Sequence, residues 1–187
     1  MQNLLCQINT KGFTRKPQTL QEYGKLREKI IQRGWASLSE TDFVNKVTNQ
    51  GYAFYGCIFQ GHDLMESGRE KECWRMQTMV GLDFDHCPVS PEEMASFYNE
   101  QGLDPWLVYG TFSDGTEADQ GLRSYRIVWR VEADLNASYT KVHGFIKNLA
   151  AMTDYADKHA TTVTRMWQGS RSGAIVHDHT APFLTIS

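Results

Sequence analysis

Asp83 and Asp85 stand at alternate positions of Gly81-Leu82-Asp83-Phe84-Asp85, at the end of an apolar run. In a strand, residues i and i+2 point to one face, so the two carboxylates are expected to project together while Leu82 and Phe84 face a core. Like charges held that close on a buried strand are unfavourable unless a cation sits between them. The spacing therefore points to a divalent metal site. A carboxylate pair without a thiolate or imidazole cluster suits hard cations that keep some water and meet substrate phosphates, which means Mg²⁺ or Mn²⁺. The same Asp-x-Asp pattern also serves as a turn at a strand end or as an N-cap.

Other groups with chemistry lie downstream. Thr111-Phe112-Ser113-Asp114 is followed by Arg123 and Arg126 in a strand-like run, then by Asp157 and by Thr164-Arg165-Met166-Trp167-Gln168-Gly169-Ser170. Arginine forks bind phosphate oxygens in a two-point fashion, which makes Arg123, Arg126 and Arg165 candidate phosphate ligands. Gly169 to Gly173 reads as a small basic turn able to turn backbone N–H groups toward a phosphate, without the lysine or spacing of a P-loop. His177-Asp178-His179 opens a competing reading, a nicking replication protein of the HUH type. There, two histidines hold a metal beside a tyrosine, here Tyr139 or Tyr155, but both tyrosines precede the histidines and the middle residue is acidic.

The order of these pieces resembles the archaeo-eukaryotic primase superfamily, the primase-polymerases of plasmids, phages and other mobile elements. The likeness runs from about residue 78 to residue 172: an h-x-D-x-D strand, a T-x-S segment leading to an R-x-R-like strand, here Arg123-x-x-Arg126, and an acid ahead of an aromatic-Gly-Ser turn. It implies that Asp83, Asp85 and Asp157 hold two Mg²⁺ or Mn²⁺ ions for nucleotidyl transfer, with Asp154 an alternative for the third position. It implies contacts from Ser113, Asp114, Arg123, Arg126 and Arg165 to an incoming NTP or dNTP, a single-stranded DNA template, and a helicase domain or protein as a partner. At Asp114 the family places a histidine that meets the triphosphate; an anion there opposes binding unless it turns away. That departure keeps open a catalytically silent replication initiator or nucleic-acid-binding module of the same fold.

These groups need elements to position them. A basic helix is expected from Leu20 to Gly34, with Lys25, Arg27, Lys29 and Arg33 on its polar positions and a role in holding template. A second is expected from the N-cap Ser39 to Gly51. Tyr52 to Phe59 and Thr78 to Asp85 read as strands, with a polar loop from Gly61 to Lys71 between them. Ser90-Pro91-Glu92-Glu93 starts a helix that should reach Gly102, since it combines a serine cap, a proline at the first position and a glutamate at the third. Trp106 to Phe112 and Ser124 to Val131 read as strands, and Asn136 to Met152 as a helix with one apolar face. The pattern predicts an α+β fold: a mixed or antiparallel RRM-like sheet backed by helices. A helical N-terminal segment, 1–51, would precede a catalytic unit, 52–187, in one compact body.

Composition sets the outer limits. A chain of 187 residues fits one domain with a substantial core. Its net charge of −3 argues against coating nucleic acid by bulk electrostatics, so such contacts must come from local basic patches. No apolar run reaches membrane-spanning length, and Met1 to Thr10 has no signal-peptide pattern, so a cytoplasmic chain without a membrane partner is expected. The four cysteines lack C-x-x-C spacing and read as reduced thiols.

Overall fold

The computed structural model describes residues 3–60, 70–115 and 121–186. Most of the expected polar loop from Gly61, and the stretch 116–120 beyond Gly115, therefore lie outside the described residues. Element order is β1 (Asn3–Ile8), α1 (Leu20–Arg33), β2 (Ala36–Ser39), α2 (Glu40–Gln50), β3 (Phe54–Tyr55), β4 (Cys57–Phe59), α3 (Glu70–Cys73), β5 (Trp74–Gln77), β6 (Met79–Cys87) and α4 (Pro91–Glu100). The chain continues with β7 (Leu107–Gly110), β8 (Arg123–Arg130), α5 (Tyr139–Ala151), β9 (Met166–Trp167) and β10 (Ala174–His177). The fold is α+β, with every sheet antiparallel.

The helix boundaries follow local chemistry. In α4, Ser90 Oγ accepts from the Glu93 N–H while the Glu93 carboxylate accepts from the Ser90 N–H, a reciprocal cap that contributes about 1 kcal/mol. Ser39 caps α2, and Gly51 closes it in the left-handed region at φ 71°. Helix α5 starts at the cap Ser138 rather than at Asn136, because the Ser138 hydroxyl accepts from the Lys141 N–H.

The central sheet has the order β10-β7-β8-β6. Its elements run β6-α4-β7-β8-α5-β10, a β-α-β-β-α-β succession, but the last strand pairs with β7 and not with the first strand β6, so the strand order departs from the RRM-like sheet that the sequence pattern predicts. Val80, Leu82 and Phe84 of β6 join Tyr125, Ile127 and Trp129 of β8 in one buried layer with Met94 and Tyr98 of α4 and Val142, Ile146 and Leu149 of α5. The opposite layer holds Met79, Leu107, Tyr109 and Val128 against Phe43 and Val47 of α2, Phe54 and Trp167. Among the described residues no helix is long and apolar enough to cross a membrane.

The N-terminal segment is not helical throughout. β1 pairs with β2 and, through Gln7 and Ile8, with β3, in a second sheet of order β2-β1-β3-β9. β9 lies near the far end of the chain, so residues 3–50 and the remainder share one sheet. Asn3–Ile8 lacks the alternation that marks a half-buried strand, because Cys6, Gln7 and Ile8 are all buried in succession.

Candidate active site

Strands β6 and β8 bring the first acid to its partner. Asp83 lies directly opposite Arg126 in the ladder, and Arg126 Nε and Nη2 both reach Asp83 Oδ1 at 2.5 Å. The side chains are 5% and 7% exposed, so this is an ion pair removed from water. Arg126 Nη1 also donates to Tyr109 Oη and to the Gln168 carbonyl, each at 2.8 Å. Burial disfavours the Arg126 charge, but the Asp83 carboxylate and Tyr109 more than offset it and raise its pKa above the ordinary arginine value. Burial likewise pushes the Tyr109 hydroxyl up to about 12, against the pull of the Arg126 cation.

Two aromatic rings frame the guanidinium, Tyr109 at 5.6 Å and Trp167 at 5.8 Å from centroid to Cζ. Trp167 can lie there because Gly81 has no side chain: a Cβ at that position would stand 3.0 Å from the indole. Arg165 closes the group from the outside, its Nε 3.2 Å from Asp83 Oδ2 with the side chain 37% exposed.

The remaining predicted residues divide among neighbouring positions. After Phe84 the β6–β8 register shifts and His86 takes φ 52°, a bulge that leaves Asp85 exposed. Asp85 has no hydrogen-bond or ion-pair partner among the described residues. Asp157 adjoins the same strand through its backbone, its N–H donating to the Asp83 carbonyl at 2.8 Å. Its carboxylate accepts from the His159 N–H and caps a short 3-10 turn. Asp154, the alternative, is 99% exposed and pairs with Lys158.

Asp114 is turned onto Arg123. Its carboxylate accepts from Arg123 Nε at 2.8 Å, from Arg123 Nη2 at 2.9 Å and from the Ser124 N–H at 3.0 Å. Burial would raise its pKa, but these donors and the Arg123 charge outweigh that and hold the group below its ordinary value. Ser113 Oγ lies 3.0 Å from Thr111 Oγ1 and accepts from Lys16 Nζ at 3.2 Å. Lys16 belongs to a segment in which the motif pattern singles out nothing, and only the structure brings it to Ser113.

A divalent ion can be weighed against these donors. The oxygen chemistry fits: Asp85 is exposed and unpartnered among the described residues, and the Oδ2 of Asp83 carries only the longer contact to Arg165. The number of ligands is smaller than the resemblance implies, since among the described residues no three Asp, Glu, His or Cys side chains form a metal-binding group. The Gly169–Gly173 turn is likewise occupied within the fold. The Ser170 N–H donates to the Val47 carbonyl and the Gly173 N–H to the Thr48 carbonyl, so the turn covers the end of α2. His177 Nε2 meets Glu40 Oε1 at 2.9 Å, while Tyr139 packs on Trp74. Compared with known proteins, the chain matches no family model, no curated protein and no solved structure.

Proposed function

We propose that this chain is the catalytic domain of a primase or primase-polymerase, transferring nucleotides from NTPs or dNTPs to a 3′-hydroxyl on a single-stranded DNA template in a divalent-metal-dependent reaction. One observation supports the reading above the others. Arg126, the Asp157 backbone and Arg165 come from three separate stretches of the chain and meet at Asp83, in the middle of β6. A helicase partner and a cytoplasmic location belong to the same proposal.

Asp83 and Asp85 are the residues that would hold Mg²⁺ or Mn²⁺. When bound, such an ion neutralises triphosphate charge and makes the attacking hydroxyl more acidic. The two-ion form of the reaction, with Asp157 as the third ligand, belongs to the same proposal; among the described residues no three Asp, Glu, His or Cys side chains form a metal-binding group. Arg126 fixes the orientation of Asp83 and is too buried to reach a substrate, so phosphate contact falls to the half-exposed Arg165 and to Lys16 beside Ser113. With Asp114 neutralised by Arg123, the missing histidine does not leave a bare anion in the site.

The pairing of Asp83 with two arginines favours a second reading, a catalytically silent nucleic-acid-binding module. Primer extension and de novo priming with NTPs and dNTPs, in Mg²⁺ and in Mn²⁺, separate the two. Calorimetric titration with Mn²⁺ accompanies them. Incorporation together with Mn²⁺ uptake supports the transferase; DNA binding with neither leaves the silent module.

A further inference from the structure

Between β1 and α1 the chain runs through residues 9–17 and folds back on the helix, enclosing a cleft of about 540 Å³. Its lining is unlike the chain as a whole. Lys11, Arg15 and Lys16 come from the loop and Lys25 and Lys29 from α1, with Glu22 the one acid in the lining among the described residues, in a protein whose net charge is −3. That acid is already committed, since both Arg15 Nη atoms lie 3.4 Å from the Glu22 carboxylate. Four lysines line one cavity, and one of them, Lys16, also donates to Ser113 Oγ. Lys25 and Lys29 stand one helical turn apart, a like-charged spacing that weakens a helix slightly and is relieved by an anion lying across both.

The cleft is held in shape from behind. The Phe13 N–H donates to the Gly51 carbonyl at 3.0 Å and the Phe13 carbonyl accepts from Arg171 Nε at 3.0 Å, tying the loop to the end of α2 and to the turn after β9. Phe13 and Leu26 contribute apolar surface to the lining. At one end Lys16 Nζ donates to Ser113 Oγ, a residue the motif order assigns to the incoming nucleotide. Lysines are compact charges without the planar fork of arginine, and they suit phosphates along a backbone read without regard to sequence. Gathered along a concave groove, they match the electrostatic part of single-strand binding, in which a basic channel follows the backbone without reading sequence.

We propose that this cleft binds the phosphate backbone of single-stranded DNA. The inference stands on the cleft and not on nucleotidyl transfer. The sequence expectation for α1 is thereby redrawn. Lys25 and Lys29 keep a part in it, Arg33 is turned to the Ile8 and Asn9 carbonyls, and Lys11 and Lys16 join from the loop.

The test uses the full chain and a fluorescein-labelled oligo-dT 20-mer, with anisotropy read over a KCl series in EDTA and without nucleotide. Under these conditions failure of catalysis and failure of this proposal are distinguishable. The K11Q/K16Q/K25Q/K29Q protein is compared with K141Q/K147Q, which removes two exposed lysines from α5, and circular dichroism checks that both are folded. The quadruple variant is expected to weaken binding by about tenfold or more and to lower the slope of log K against log salt by about 3, at roughly 0.7 for each phosphate no longer neutralised. The α5 variant is expected to match the parent. An unchanged slope in the quadruple variant, or an equal loss in both, overturns the proposal. So does competition by ATP at the concentrations at which unlabelled oligo-dT competes, which would make the cleft a nucleotide pocket.

Discussion

Asp83 and Arg126 are direct cross-strand partners whose side chains meet at 2.5 Å with almost no exposure to solvent. Removing one member strands the other charge in the interior, at about 3–5 kcal/mol, whereas replacing both by apolar residues of similar size recovers most of that loss. Asp83→Ala is therefore expected to destabilise strongly and D83L/R126M much less, because Tyr109 Oη retains its bond to the Gln168 carbonyl. Urea denaturation of the two variants measures the difference. Equal destabilisation would show that the pair is not a closed electrostatic unit.

Asp85 behaves differently although it lies two residues away. It is exposed and has no partner among the described residues, so Asp85→Ala should leave stability within about 0.5 kcal/mol of the parent. If the proposed reaction is correct, the same change removes nucleotide incorporation by orders of magnitude and weakens Mn²⁺ binding. Thermal melts alongside primer extension give the answer, and full activity in Asp85→Ala excludes a metal role for this residue.

The two acids illustrate what a strand pattern can and cannot reveal. Period-2 alternation places Leu82 and Phe84 in the helix-backed layer, and cap residues place the starts of α2 and α4, because these signals are local. The bulge at Asp85 and His86 depends on pairing with β8, some forty positions on, and leaves no mark in the pentapeptide. Arg126 reads as a phosphate ligand until the register sets it opposite Asp83, and Asp114 reads as an anion in a phosphate site until Arg123 is found on it. The basic cleft is legible only in part: helical periodicity finds Lys25 and Lys29, whereas Lys11 and Lys16 sit in a loop without period. β1 escapes the pattern because its burial on both faces hides the alternation that identifies a strand.

Gly56 tests the packing that carries Trp167 to Arg126. Its carbonyl accepts from the Thr78 and Met79 N–H groups, and a Cβ on it would stand 2.4 Å from the Met79 carbonyl oxygen and 2.8 Å from the Trp167 ring. Backbone oxygen cannot turn aside as a flexible side chain can. Gly56→Ala should lose about 1–3 kcal/mol in urea denaturation and move the tryptophan emission to the red. A variant as stable as the parent would mean that β3, β6 and Trp167 are less closely packed than described.

Asp114 offers a test that depends on pH. Its carboxyl is held below the ordinary value when folded, so between the unfolded and folded values the unfolded chain binds the extra proton. The stabilisation is complete above the unfolded value of about 3.9 and is lost as pH falls through the folded one. At neutral pH, Asp114→Asn should destabilise by about 1 kcal/mol, the figure for a charged hydrogen-bonded pair discounted because Arg123 is 38% exposed. Once the pH lies below the folded value, parent and variant should converge. Glu22, Glu93 and Asp178 are also held low and contribute their own slopes, but these are common to both proteins and cancel in the difference. Urea midpoints of the pair at several pH values measure it. A gap that stays constant into acid would mean that the Asp114 charge contributes nothing. The same residue also bears on the nucleotide site: with Asp114 turned onto Arg123, Asp114→His should lose the clamp and gain no affinity for triphosphate, whereas a lowered KM for nucleotide would return position 114 to the phosphate-binding role that the motif order assigns it.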